Sequence, residues 1–246
     1  MKSQRPHLPL SDYYATNEDK QTFLRKLFDR AAPHYEGIAK WGWFGSGQFY
    51  RKWALERVGL RPGMAVLDVA SGTGPTARAI RDVQGSEEMI TCLEPSAGMI
   101  AESKKQLSCE HIQAGADKMP LPDESFDFLT MGFALRHVDD LASAFSEFYR
   151  VIKPGAKIMI MDETLPKKGF RRSLMKLYFK HMLPWLTKIF TRSQPAHEMM
   201  AYYWQTLEEM VPPEEVVAGL EAVGFQQVKH NLLLGMFSEY TAIRPQ

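Results

Sequence analysis

Three features of the 246-residue sequence predict an α/β fold with a doubly wound, mostly parallel sheet. From Met64 onward, short apolar runs alternate with amphipathic stretches, the pattern of strand–helix units. The first of these runs ends in the turn Ser71-Gly72-Thr73-Gly74, where a strand hands the chain to a helix. Hydrophobic residues make up 45% of the chain and charged residues 24%, enough apolar side chain to cover both faces of such a sheet.

The elements follow in order. Residues 1–17 are polar, contain Pro6 and Pro9, and are expected to form a loosely held arm. Residues 18–32 place Phe23, Leu24, Leu27 and Phe28 at helical spacing, and Pro33 is expected to punctuate that helix. Residues 34–47, rich in Gly and aromatics, read as a loop, and 48–59 as a second helix closing near Gly59. Strand-like runs occupy 64–70, 89–95, 111–116, 126–134 and 157–163; helices fill 76–83, 97–107 and 141–152, and the residues 153–156 (KPGA) read as a tight turn. Residues 167–204 read as mostly helical. Residues 213–222 form a helix opened by two prolines and closed by Gly224, and 225–243 carry two runs suited to an antiparallel pair at a sheet edge. The expected organisation is 1–60 as N-terminal arm and helices covering the site, 61–165 with 210–246 as the sheet domain, and 166–209 as a helical cap inserted after strand five.

Composition narrows the function classes. A net charge of +1 gives no global attraction to nucleic acid, and no run of about 18 apolar residues predicts a membrane span. The first residues lack the apolar stretch of a signal peptide, so the cytoplasm, or the cytoplasmic face of a membrane, is the expected location. Cys92 and Cys109 form neither a disulfide framework nor a metal-ligand spacing, and no metal is expected; Cys92 reads as a buried small hydrophobe.

The turn after the first strand is the strongest local signal. Gly72 and Gly74 allow close approach of a ligand and positive φ, at the strand end where doubly wound sheets bind ligands. The order Asp68-x-Ala70-x-Gly72-x-Gly74 departs from the dinucleotide fingerprint, and no phosphate-loop lysine follows. A cofactor without a pyrophosphate but with a cationic amino-acid end suits it better; a mere tight turn is the alternative. Glu94 ends the second strand about 20 residues later, where a carboxylate accepts from ribose hydroxyls. Taken alone it is an acid at a helix start. Asp117, after the third strand, can bond an adenine amino group while Ala116 and Met119 pack on the ring; taken alone it is a loop acid.

The succession LDVASGTG, CLEPS, GADKMPLPDESFD, FALRHV and YRVIKPGAKIMIMDE resembles class I methyltransferases that use S-adenosylmethionine. More narrowly, the chain resembles the C-methyltransferases of ubiquinone and menaquinone biosynthesis. Phe28, Asp29, Ala32 and Tyr35 match that family's N-terminal stretch, Trp53 its tryptophan before the first strand, and Phe133-Ala134-Leu135-Arg136-His137 its segment after strand four. The tail from Tyr202 to Val228 matches its closing helix and turn, so the likeness covers residues 23–244.

This resemblance implies a Rossmann-like sheet, S-adenosyl-L-methionine as cofactor and S-adenosyl-L-homocysteine as product. It carries cofactor contacts to Thr73, Glu94, Gly115, Ala116 and Gly132; Asp68, Ala70, Gly72, Gly74, Pro95, Met99, Asp117, Lys118 and Phe133 complete the expected set. Glu94 stands for the family's Asp, Gly115 for Asn and Gly132 for Ser. The last two forgo a side-chain hydrogen bond, so Asp117 and backbone groups must do more. The implied reaction is methyl transfer to a ring carbon of a quinol-type acceptor held as its phenolate. Arg136 and His137 are the expected catalytic pair; His137 stands where the family has Asn and is the expected base, unless it only bonds the backbone at a helix start. Tyr35 is expected to close over the cofactor. Phe44, Tyr202 and Tyr203 are expected to line the acceptor pocket, with ordinary packing as the alternative.

Residues 166–192 hold eight Lys or Arg and no acid, interleaved with large apolar residues. They read either as a membrane-surface element or as a cap helix with a solvated basic face. Two other functions stay open: an O-, N- or C-methyltransferase of a soluble aromatic or natural product, and a silent cofactor-binding scaffold. Nucleic-acid methylation is disfavoured, because no Asn/Asp-Pro-Pro-Tyr/Phe motif follows strand four. The apolar tail and cap allow a homodimer.

Overall fold

The computed structural model describes residues 5–7, 13–14, 16–42, 46–166 and 168–246. Five parallel strands, β1 (Val66–Val69), β2 (Ile90–Leu93), β3 (Glu110–Ile112), β4 (Phe126–Gly132) and β5 (Ile152–Glu163), form most of the sheet. β6 (Gln226–Leu233) and β7 (Phe237–Ile243) add an antiparallel edge, giving the order β3-β2-β1-β4-β5-β7-β6. The central strands are apolar along their length because helices cover both faces. Alternation distributes their side chains. Leu67, Val69, Leu129 and Met131 pack with α5 (Leu141–Val151) and α9 (Pro213–Val223); Val66, Phe128 and Met159 pack with α2 (Gly47–Val58) and α3 (Pro75–Gln84). β1 lies between β2 and β4, so the strand order reverses there and opens a crevice at their carboxyl ends.

A third core lies above those ends. It joins Leu24, Leu27 and Ile38 of α1 (Asn17–Gly42) to Met175, Phe179, Leu183, Met199 and Tyr202 of the insertion. The insertion comprises α6 (Phe170–Lys176), a π-helical segment (Leu177–Met182), α7 (Leu183–Thr191) and α8 (Gln194–Glu209). The N-terminal helix and the cap, read from sequence as separate blocks, share this one apolar layer. Among the described residues no helix is long and apolar enough to cross a membrane.

Four local expectations are corrected. Pro33 does not end α1, which runs on to Gly42; the expected loop over 34–47 is therefore helical as far as 42, and residues 43–45, including Phe44, lie outside the described residues. Proline removes one backbone bond, that to the Asp29 carbonyl, and tertiary packing holds the helix across the gap. The described part of the arm is docked rather than loose: the Val211 amide donates to the Pro6 carbonyl at 2.8 Å, and His7 bridges Met210. α4 (Ala97–Ser103) stops before the expected Leu107. The KPGA turn falls inside β5, with Gly155 at φ 81° and an irregular register opposite Phe126 to Phe128.

α1 touches α4 at one close point. Asp29 Oδ1 accepts from the Gly98 amide at 2.8 Å and from Ser96 Oγ at 2.6 Å. A Cβ on Gly98 would stand 2.8 Å from both Cα and the carbonyl oxygen of Asp29, so backbone would have to move. Gly98→Val is expected to cost about 1–3 kcal/mol in stability and to weaken S-adenosylhomocysteine binding, measured by thermal unfolding with and without that ligand.

Candidate active site

The crevice between β1 and β4 holds a cavity of about 350 Å³. Two non-glycine residues enter it with positive φ, Ala70 after β1 (52°) and Phe133 after β4 (62°). Such strain costs on the order of 1–3 kcal/mol and persists where packing fixes it, a frequent mark of ligand sites. Ala70, Ser71 and Gly72 line the cavity from β1, Glu94, Pro95 and Met99 from β2 and α4, and Gly115 to Lys118 from beyond β3; Gly132 and Phe133 close it. Asp68, Thr73 and Gly74, expected among the cofactor residues, are not in the lining. Asp68 is buried below it and accepts from Thr130 Oγ1 at 2.7 Å, and burial raises its pKa to about 7. Thr73 is turned away and donates to Glu36 Oε1 at 2.7 Å, an acid also paired with Arg78 at 2.8 Å. Gly74 (φ 87°) starts α3. Met119 packs in the sheet core instead of on a ligand ring.

Glu94 is set by its backbone. The Gly72 amide donates to Oε2 and the Ser96 amide to Oε1, each at 2.9 Å, which fixes the carboxylate plane and leaves each oxygen lone pairs for a ligand hydroxyl. Burial pushes its pKa up to about 7 against those two hydrogen bonds. The two glycine departures are filled by neighbours. Asp117 Oδ1 lies 2.8 Å from where a Cβ on Gly115 would be, and Thr76 Oγ1 stands in the place of a Cβ on Gly132.

A second, smaller cavity of about 80 Å³ adjoins the first. Phe28, Tyr35, Arg51, Phe133 and His137 line both. The inner compartment adds Arg136, Glu163, Tyr202 and Tyr203 and an apolar wall of Phe179, Leu183, Met199 and Met200. Arg136 is 2% exposed. It donates through Nη1 to Asp162 and, at 3.0 Å, to Glu163, and lies 4.3 Å over the Tyr203 ring. Burial alone would lower its pKa, but Asp162, Tyr203 and Glu163 outweigh it, so it is held as a cation. His137 is kept neutral: burial, then Arg136, lowers its pKa well below the ordinary value. Its ring stacks on Tyr202 at 5.8 Å and meets Phe28 edge-on, and its buried Nδ1 has no hydrogen-bond partner. Glu163 is raised to about 7, by burial first, with Arg136 opposing and Asp162 adding.

The structure thus brings Tyr35, Arg136, His137, Tyr202 and Tyr203 together. It adds Glu36, Arg51, Thr76 and Glu163, which sequence reading missed. Glu163 closes the run KIMIMDE, and an acid at the end of a central strand was the available signal. One further cluster was hidden by spacing: Cys92 Sγ is 3.6 Å from Cys109 Sγ, with a ligand atom of His111 inside 4.8 Å. Both ring nitrogens of His111 are engaged, with the Cys109 carbonyl at 2.8 Å and Ser103 Oγ at 2.9 Å.

A cavity of this size at a switch point, with a strand-end carboxylate held by two backbone amides, fits a nucleoside carrying an amino-acid end. Fold and site define a class I S-adenosylmethionine-dependent methyltransferase. Residues 15–244 match the ubiE/COQ5 methyltransferase family, and the chain belongs to it. It is 28% identical over 222 residues to the ubiquinone/menaquinone biosynthesis C-methyltransferase UbiE of Shewanella sediminis, covering 87% of each chain. To the enzyme of the same name from Geotalea daltonii it is 28% identical over 231 residues, 91% of this chain and 97% of that one. Its fold is that of an Aquifex aeolicus S-adenosylmethionine-dependent methyltransferase (TM-score 0.59, 22% identity, 81% and 92% covered). It is shared also with Haemonchus contortus phosphoethanolamine N-methyltransferase 2, solved with S-adenosyl-L-methionine (TM-score 0.66, 16% identity, 90% and 60% covered).

Two measurements check the cofactor side. The ionised form of Glu94 is the better acceptor, so S-adenosylhomocysteine affinity should fall as pH drops below about 7; calorimetry on Glu94→Gln should show weaker and flatter binding. Asp117→Ala should weaken binding by about tenfold, and Gly115→Asn in that background should recover part of the deficit, because the new amide enters the space the carboxylate left.

Proposed function

We propose that this enzyme methylates a ring carbon of a quinol-type aromatic acceptor, and that Glu163 is the base. The observation that carries this is the inner compartment: a carboxylate with a pKa of about 7 beside a fixed guanidinium and a neutral imidazole, under an apolar roof. The names of the UbiE relatives support the substrate class.

Glu163 takes the acceptor's hydroxyl proton onto its carboxylate, which makes the ring carbon electron-rich. Arg136 faces the resulting oxyanion as a permanent cation and cannot itself serve as the base. Tyr203 hydrogen-bonds Glu163 and orients it. His137, neutral and with Nδ1 unpaired, offers one hydrogen bond to an acceptor oxygen. Phe28, Tyr35 and Phe133 hold the acceptor ring against the cofactor compartment, and the roof of Phe179, Leu183 and Met199 excludes water. When bound, S-adenosylmethionine would supply an electrophilic methyl group. The ring carbon that takes it gives up its own hydrogen as a proton to solvent, and Glu163 returns its proton to the phenolate oxygen, restoring the aromatic quinol.

The test is turnover on short-chain demethylated menaquinols and ubiquinols, with the methyl located by mass spectrometry and NMR. A ring C-methyl product is expected. An O-methyl ether, or turnover only on soluble phenols, would overturn the substrate class. Glu163→Gln should lower kcat by about 10²–10⁴ with S-adenosylhomocysteine binding unchanged. The parent rate should rise with pH through about 7, as Glu163 ionises, and that limb should vanish in the variant.

A further inference from the structure

The outer face of the cap carries an exposed apolar stripe. Phe170 is 81% exposed, Trp185 60%, Leu177 58%, Leu174 53%, Ile189 48% and Met182 43%. The same helical run buries Met175, Phe179, Leu183 and Thr187 on its other side. Buried positions recur every four residues, and the stripe steps by four, three, five, three and four. The step of five, from Leu177 to Met182, spans the π-helical segment, whose wider turn keeps both faces in register. An ordinary α-helix would rotate the stripe towards the cap core at this point.

The stripe is interleaved with exposed cations, Lys176, Lys180 and Lys188 within it and Lys168, Arg171 and Arg192 at its ends. No acid occurs from 166 to 192. Arg171 reaches the β6–β7 turn, where its Nη1 lies 2.8 Å from the position of a Cβ on Gly235, and Leu234 beside it is 78% exposed. The apolar surface therefore continues from the cap to the hairpin tip. A soluble surface seldom keeps so many large side chains in one patch without a partner.

We infer that this face docks on an anionic lipid bilayer, with the stripe in the interface and the cations at the headgroups. Charge decides between occupants: two copies of a stripe whose own run carries only basic charges would repel across a two-fold contact, whereas anionic headgroups complement it. The inner side of this helix supplies Phe179 and Leu183 to the acceptor compartment. The docked enzyme thus sets the roof of that compartment against the membrane. The inference rests on the quinol reading only for the route by which a bilayer-borne acceptor arrives.

The experiment is flotation of the full chain with phosphatidylcholine vesicles with and without phosphatidylglycerol, at low and high salt, with no acceptor present. Binding to the anionic vesicles, weaker on neutral ones and reduced by salt, is expected. Phe170→Ser/Leu177→Ser/Trp185→Ser should lose about tenfold or more of that binding, with S-adenosylhomocysteine affinity and turnover of a soluble acceptor retained. No flotation of the parent protein overturns the inference. So does a parent that sediments as a dimer and becomes monomeric in the triple variant without vesicle binding. Because the vesicle assay contains no acceptor, failure there leaves the quinol assay standing, and the reverse.

Discussion

The guanidinium of Arg136 is buried at the junction of sheet and cap, and an unpaired charge there would cost several kcal/mol. Neutralising it organises the reacting end of the molecule. β4 and β5 are parallel neighbours, so the turn after β4 and the last residues of β5 arrive together, and Asp162 and Glu163 meet Arg136. Burial, with Asp162 adding to it, raises Glu163 to about 7 although Arg136 pulls it down. Burial depresses His137, and the same cation adds to it. One ion cluster thus sets three states: a fixed positive charge, a carboxyl raised to about 7 and a neutral imidazole.

The two cavities depend on α1 as much as on the sheet. Asp29 ties it to the start of α4, and Glu36 ties it to Thr73 in the Gly-rich turn. Tyr35 then stands in the wall common to both compartments, where burial raises its pKa and keeps it un-ionised. Arg51 of α2 completes this wall, 4.7 Å over the Phe133 ring. A shift of α1 would therefore alter both compartments together.

The strand–helix alternation, the Gly-rich turn, Glu94 and the likeness to the ubiE/COQ5 family were legible because each is local in sequence. Periodicity sets element type, and a strand end followed by glycines sets a ligand turn. Pro33 misled because a breaker within an isolated helix is tolerated where packing holds both halves. Thr76 shows a second limit. Asp117 was read from sequence as the group that must do more where Gly115 offers no side chain, but nothing in the spacing pointed to Thr76, which occupies the space beside Gly132.

The sequence by itself determined the fold class and the Gly-rich turn and strand-end acid that border the crevice, since hydrophobic period and turn chemistry act within a few residues; the cofactor followed from the family resemblance. It also held the basic apolar segment, 166–192, but could not say which of its faces is buried. Tertiary structure decided that Arg136 is locked between two acids, that His137 is held neutral and that Glu163 is raised to about 7. Protonation state depends on burial and on charges brought from distant parts of the chain, and neither exists until the cap closes over the strand ends.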